Sequence, residues 1–275
     1  MALNAENGRL ELSCGSMDYV RFGSGEQNLV ILPGLGDAFR TVAGLALPFA
    51  LGYRRLAQDF TVWLFSRPEP LTDPCSTRDM ARDLGWAMDE LGLERICLLG
   101  VSQGGMIAQW VAIDQPKRVD RLVLAASAAG PNPTLQNNLL HWITLARGGD
   151  YKGILTDTAR LSYSAKTVKK QTLVAAATAL VTRPKSFARF LIQAGSCLRH
   201  DAREDLSRIF CPTLVLGGTE DGVVTARASR ELAEKIVGAE LYLYEGLSHS
   251  FYEEAGDFQE RVAAFCKICK AEEKD

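Results

Sequence analysis

Ser102 stands in Gly100-Val101-Ser102-Gln103-Gly104, between an apolar run, Ile96 to Leu99, that reads as a buried strand and an apolar segment from Met106 that reads as a helix. A serine wedged between strand and helix must occupy a strained turn if its hydroxyl is to project clear of both. That crowds the backbone two residues on either side, where glycine relieves it. An unassisted serine hydroxyl is a poor nucleophile at neutral pH, so it needs a base to take its proton and a third group to hold that base in one tautomer. The chain offers three histidines, His141, His200 and His249. His249 follows a strand near the C-terminus, in Gly246-Leu247-Ser248-His249, and is the candidate base, the alternative being an ordinary loop histidine. The acid belongs at the end of the strand before last. Gly218-Thr219-Glu220-Asp221 supplies two carboxylates there, and because neighbours along an extended loop point apart, only one can serve.

The elements that must position these groups alternate in type. Residues 9 to 23 read as a hairpin, Asn28 to Leu32 as a buried strand, and Thr61 to Phe65 as the next, followed by a proline-stiffened turn, Ser66-Arg67-Pro68-Glu69-Pro70. Residues 76 to 92 read as a helix capped at Ser76 or Thr77, with Met80, Leu84, Ala87, Met88 and Leu91 on one face and Gly92 at its end. The helix after Ser102 stops near Pro116, and Leu122 to Ser127 is the following strand. Strands alternating with helices imply a parallel sheet with right-handed crossovers. From Pro131 to Leu206 the alternation stops and helical patterns dominate, with breaks expected at Gly148-Gly149, Gly153 and Pro184. The sheet resumes at Pro212 to Leu216, followed by a helix over 226–237, the strand Leu241 to Tyr244 and a last helix from about Asp257 to Lys270.

With its glycine turn after an early strand (LVILPGLGD), the GVSQG turn, CPTLVLGGTEDGVV ending in an acid and LYLYEGLSHSF ending in histidine, the chain resembles the α/β-hydrolases over nearly its whole length. The resemblance implies an α/β fold with a mostly parallel central sheet flanked by helices, a core of residues 1–130 and 207–275, and an inserted helical cap over 131–206. It also implies a triad of Ser102, Asp221 and His249, with Glu220 a solvated neighbour, and an oxyanion hole made by the backbone N–H groups of Leu35 and Gln103. One departure is Pro33 where the family usually carries a histidine that braces this loop. Another is the 66–70 turn, which replaces the family's Asp and Gly-x-Ser and either shapes the pocket rim or is a structural turn. Leu35 and the cap residues His141, Trp142, Tyr151, Tyr163, Phe187 and Phe190 are candidate linings of a substrate pocket, the alternative for the cap residues being that they pack its helices together.

The composition is that of a globular chain: 275 residues, 47% hydrophobic, with a formal net charge of −2 that argues against general nucleic-acid binding. No stretch approaches the apolar length of a membrane span, and MALNAENGRL lacks the basic and apolar regions of a signal peptide, so a cytoplasmic location is expected. Seven scattered cysteines do not form an extracellular disulfide framework, and Cys266 and Cys269, though at metal-like spacing, extend an apolar helical stripe, which reads as core filling, the alternative being a metal or redox role. The cap segment holds eleven Lys and Arg against five Asp and Glu, so a basic lid could favour anionic substrates, although Lys166, Lys169 and Lys170 also fit a solvated helix face.

Together these features predict acyl transfer from a small ester, thioester or lactone to water, with no metal or organic cofactor called for. A proline-iminopeptidase-like aminopeptidase, a cofactor-free perhydrolase, a small-molecule receptor on the same fold and a protein docking through its helical cap are the competing readings. The partner expected is a small acyl substrate, with monomer and homodimer both open.

Overall fold

The computed structural model describes residues 3–267. Eight strands, β1 Glu6–Leu12, β2 Gly15–Phe22, β3 Gln27–Leu32, β4 Phe60–Phe65, β5 Ile96–Val101, β6 Val119–Ala125, β7 Thr213–Gly218 and β8 Glu240–Tyr244, form one sheet in the order β1-β2-β4-β3-β5-β6-β7-β8. The opening hairpin is antiparallel to its neighbours, and from β4 to β8 every pairing is parallel. β5 lies near the middle, and every one of its residues is buried.

Among the described residues ten helices connect and cover the sheet: α1 Ala46–Gly52, α2 Thr77–Glu90, α3 Gln103–Asp114, α4 Pro133–Arg147, α5 Tyr151–Ser162, α6 Val168–Val181, α7 Ala188–Arg199, α8 Ala226–Lys235, α9 Phe251–Glu254 and α10 Phe258–Cys266. Because strand side chains alternate in direction, β3 sends Val30 and Leu32 into a core with Leu84 of α2 and Ile107 of α3, and Leu29 and Ile31 into a second core with Ala50 of α1 and Val262 of α10. Helices on both faces explain why the inner strands are continuous apolar runs rather than alternating ones.

Local signals account for the helix boundaries. Ser76 caps α2 in a reciprocal capping box with Asp79, and the expected face of Met80, Leu84, Ala87 and Met88 is buried. Four helices, α4 to α7, fill the chain between β6 and β7, with Gly148-Gly149 and Pro184 at breaks between them. Gly153 is not a break: it lies in the first turn of α5, where its N–H donates to the side chain of Asp150, the cap residue. The last helix ends at Cys266 within the described residues, and Cys269 lies outside them. Cys266 is a buried free thiol held well above its ordinary pKa, first by a hydrogen bond with the Cys97 thiol and then by burial, which fits core filling.

Candidate active site

Ser102 follows β5 directly and caps α3 with φ 54° and ψ −118°, a left-handed conformation that a serine adopts only when its surroundings enforce it. The enforcement is steric. A Cβ on Gly104 would stand 2.0 Å from the Leu32 carbonyl oxygen, and one on Gly100 would stand 2.5 Å from the Gly104 carbonyl oxygen. β3, β5 and α3 therefore approach as bare backbone, and the turn that results points the hydroxyl beyond the ends of the strands.

That hydroxyl meets a histidine and, behind it, an acid. Ser102 Oγ lies 3.1 Å from His249 Nε2, and His249 Nδ1 lies 2.9 Å from Asp221 Oδ2. The other carboxylate oxygen, Oδ1, accepts the backbone N–H groups of Val223 at 2.8 Å and Val224 at 2.9 Å. Burial alone would raise the Asp221 pKa, but His249 and the two backbone donors outweigh it and hold the carboxyl below its ordinary range. Asp221 is thus an anion at neutral pH. It fixes His249 with Nδ1 as donor and leaves Nε2 free to accept a proton from Ser102. Glu220 is exposed, as expected for the neighbour that points away.

Two residues with helix-start N–H groups share a cavity with the Ser102 hydroxyl. Gln103 and Leu35 are the first residues of α3 and of a short 3-10 turn, Leu35–Ala38, so neither N–H has a partner inside its own helix. Both residues line the same cavity as Ser102 and His249. Their peptides are pinned from behind: the Ser102 carbonyl accepts Gly105 N–H at 2.9 Å, Met106 N–H at 3.2 Å and Ser127 Oγ–H at 2.9 Å, and the Gly34 carbonyl accepts Asp37 N–H at 3.3 Å. Such an arrangement can stabilise an anion formed at a carbonyl attacked by Ser102.

Pro33 changes how the glycine turn is braced. Arg67, from the turn after β4, is buried and donates from Nη2 to the Pro33 carbonyl at 2.5 Å, while its own N–H donates to Asp37 Oδ2 at 3.2 Å. Burial lowers the Arg67 pKa, with Asp37 opposing the effect. A guanidinium thus braces the turn that begins at Pro33. Residues 66–70 form a structural turn with one inward arm, and Arg67 itself does not line the cavity.

The cavity at Ser102 has a volume of about 560 Å³, within the usual size range for small-molecule sites, and its wall is mostly apolar. Leu35 and Met106 line the sheet side, and Leu135, Leu139, Trp142 and Val174 the helical side. Tyr163 also lines it, with its hydroxyl donating to Glu253. His141 and Phe187 do not. Leu135, Leu139 and Trp142 share the inward stripe of α4, which turns the adjacent His141 outward, and its side chain is 54% exposed. Phe187, Phe190 and Tyr151 instead pack around Phe39, with ring centroids 6.4, 4.7 and 5.1 Å from it, joining α5 and α7 to the segment after β3. Lys166, Lys169 and Lys170 are exposed, and the one Lys or Arg lining the cavity is Arg40, from the core, so the basic excess of the insertion does not face Ser102.

His200 occupies a different place. It is buried between α2 and α3, with Nδ1 2.9 Å from Thr77 Oγ1 and Nε2 3.3 Å from Gln109 Oε1, and burial pushes its pKa down to about 4. Residues missed from sequence include Asp37, Arg189, Gln193 and Ser127. The unusual PGLGD and SRPEP segments were the one available signal, because both depart from the family pattern on adjacent loops.

Comparison with known proteins places this geometry in context. A 2-hydroxy-6-oxononadienedioate/2-hydroxy-6-oxononatrienedioate hydrolase of Klebsiella pneumoniae is 26% identical over 257 residues, covering 88% of each chain. Est816, described as an N-acyl homoserine lactone degrading enzyme, superposes with a TM-score of 0.73 at 25% identity, covering 94% of this chain and all of its own. The enol-lactonase of Burkholderia xenovorans LB400 superposes with a TM-score of 0.78 at 20% identity, covering 94% and 99%. A family model described as alpha/beta hydrolase fold matches residues 27–256, and the chain belongs to that family.

Proposed function

We propose that the protein is a serine hydrolase that transfers the acyl group of a small carboxylic ester, thioester or lactone to water. The observation that carries the reading is the unbroken chain Ser102 Oγ, His249, Asp221, opening into a mostly apolar cavity that two helix-start residues, Leu35 and Gln103, also line. In the first half-reaction Ser102 Oγ attacks the carbonyl carbon as its proton passes to His249 Nε2, and the oxyanion accepts the N–H groups of Leu35 and Gln103. Collapse breaks the bond to the leaving group, which takes the proton from His249. Water then attacks the acyl-serine, its proton going to His249, and the second collapse returns that proton to Ser102 and frees the acid. Asp221 stays ionised throughout.

Residues 131–206 act in this reading as a cap whose inward stripe sets acyl preference. With an apolar wall and Arg40 as its one Lys or Arg, the cavity suits a neutral, medium-sized acyl group better than a dianion. A second reading comes from the Klebsiella relative, whose named substrate carries two carboxylates and a 6-oxo group but no ester. Hydrolysis beside such a ketone would break a carbon–carbon bond on the same triad.

The test is intact-mass spectrometry after a fluorophosphonate probe, run beside Ser102→Ala. One adduct on the wild type and none on the variant is the expected outcome. No adduct on folded protein would move the receptor reading to the front. Neutral esters paired with an oxo-dienedioate then separate the two hydrolytic readings, and higher kcat/KM on the dioate would overturn the first.

A further inference from the structure

Leu35 and Gln103, the two oxyanion donors of the proposed reaction, sit on different elements, yet one helix, α7, is bonded both to Gln103 and to the turn that carries Leu35. Arg189, in the first turn of α7, donates from Nη2 to Asp37 Oδ2 at 2.7 Å and from Nε to the Asp37 carbonyl at 3.3 Å, two residues after Leu35. Its other bonds reach the carbonyls of Pro68 at 2.7 Å and Arg67 at 3.0 Å, tying in the turn that braces Pro33. One turn later Gln193 donates to Asp37 Oδ2 at 3.4 Å, and its own carbonyl accepts Gln103 Nε2 at 3.0 Å. Gln103 Nε2 also donates to Ser196 Oγ at 3.2 Å. Asp37, Gln103, Gln193 and Ser196 are all buried, so these bonds operate away from solvent.

We infer that α7 is the positioning element of the oxyanion-binding pair and that Arg189 is its principal positioning residue. This rests on the acyl-transfer reading above. Arg189 touches neither Ser102 nor the cavity; it acts through Asp37 on the turn that carries Leu35. A helix bonded to Gln103 and, through Asp37, to the turn that carries Leu35 makes seating of that helix and assembly of the anion site one event. Substrate entry that lifts α7 would loosen both donors together, and its return would restore both before attack.

Arg189→Met keeps most of the apolar stem and removes the guanidinium, and Arg189→Lys keeps the charge but loses the planar fork that reaches several oxygens at once. The readouts are kcat and KM on a neutral short-chain ester, inhibition by a trifluoromethyl ketone that forms a tetrahedral adduct, inhibition by the product acid, and Tm. Loss of one oxyanion donor costs about 10²–10³-fold in kcat, so a loosened pair should cost Arg189→Met roughly 10- to 100-fold. KM for the neutral ester should stay within about twofold, while trifluoromethyl ketone affinity falls in step with kcat and the product acid, itself an anion at neutral pH, also binds more weakly, because only the anion site has changed. Arg189→Lys should recover part of the loss.

An unchanged kcat in folded Arg189→Met, or a raised KM at constant kcat, would overturn the inference. Should Arg189→Met fail to fold, Gln103→Leu cuts the other tie to α7 and must show the same split between kcat and KM. A wild type that neither labels with fluorophosphonate nor turns over esters would instead overturn the acyl-transfer reading itself.

Discussion

Around Ser102 the crowding is between backbones: a methyl group at Gly100 or Gly104 would press within 2.5 Å of a main-chain atom. Across the cavity, α6 buries Ala179 alone, packs principally on α5, and leaves Leu173, Leu180 and Val181 between 73 and 83% exposed. One wall is thus fixed by sterics that admit almost no substitution, and the other is a loosely seated helix whose Val174 both lines the cavity and meets solvent. The difference separates two demands on a single site. Bond-making atoms must hold to fractions of an ångström, whereas a wall that admits substrate has to yield.

The sharpest way to break this contrast is Gly104→Ala. The Leu32 carbonyl oxygen 2.0 Å away belongs to a buried strand and cannot turn aside, so α3 must shift at its first turn. Overpacking of this kind costs about 1–3 kcal/mol, and a displacement near 1 Å costs catalysis on the order of 10²-fold. Gly52→Ala is the control, because a Cβ there meets nothing within 4 Å. Equal esterase activity in the two variants would show that the Ser102 turn is not held sterically.

His200 supplies a second, smaller contrast, between a buried histidine in the core and His249 at the site. With a folded pKa near 4 against an ordinary 6.5, His200 binds its proton more readily in the unfolded chain. Its contribution is therefore neutral above about pH 6.5, and stability falls as pH drops from there toward 4, by at most roughly 3 kcal/mol. Tm measured across that range should decline in the wild type and more gently in His200→Gln. Parallel declines would mean that His200 does not titrate on unfolding.

These contrasts also explain what could be read from the residues alone. Ser102, Gly100, Gly104 and His249 sit where a short, local pattern meets a steric or chemical requirement, and α2 shows its cap and buried face directly in residues 76–88. The inward choice of Trp142 over His141 was not legible, because it depends on how α4 is rotated about its axis against the core. Nor was the bracing of Pro33 by Arg67 and of Asp37 by Arg189. Those partners lie 34 and 152 residues apart, and no period or local propensity records a contact made only when distant parts of the chain come together. Which of the two readings of the basic charge in residues 131–206 holds for Lys166, Lys169 and Lys170 was not legible for a related reason: composition says how many charges a segment has, and only packing puts these three on the solvated face.

The smallest expected effect tests the yielding wall. Leu180 is 80% exposed on α6, so Leu180→Ser removes little buried area, and its stability cost should stay within about 0.5 kcal/mol, in the range of ordinary surface substitutions. Val174→Trp differs because the same helix presents that position to the cavity. Activity on a short acyl ester should persist there, while kcat/KM for a longer chain falls several-fold, since the added ring takes volume from the far side of the cavity and leaves Ser102 and His249 untouched. A uniform loss on short and long esters would mean that α6 is coupled to the rigid wall, and that the two sides of the cavity are not independent.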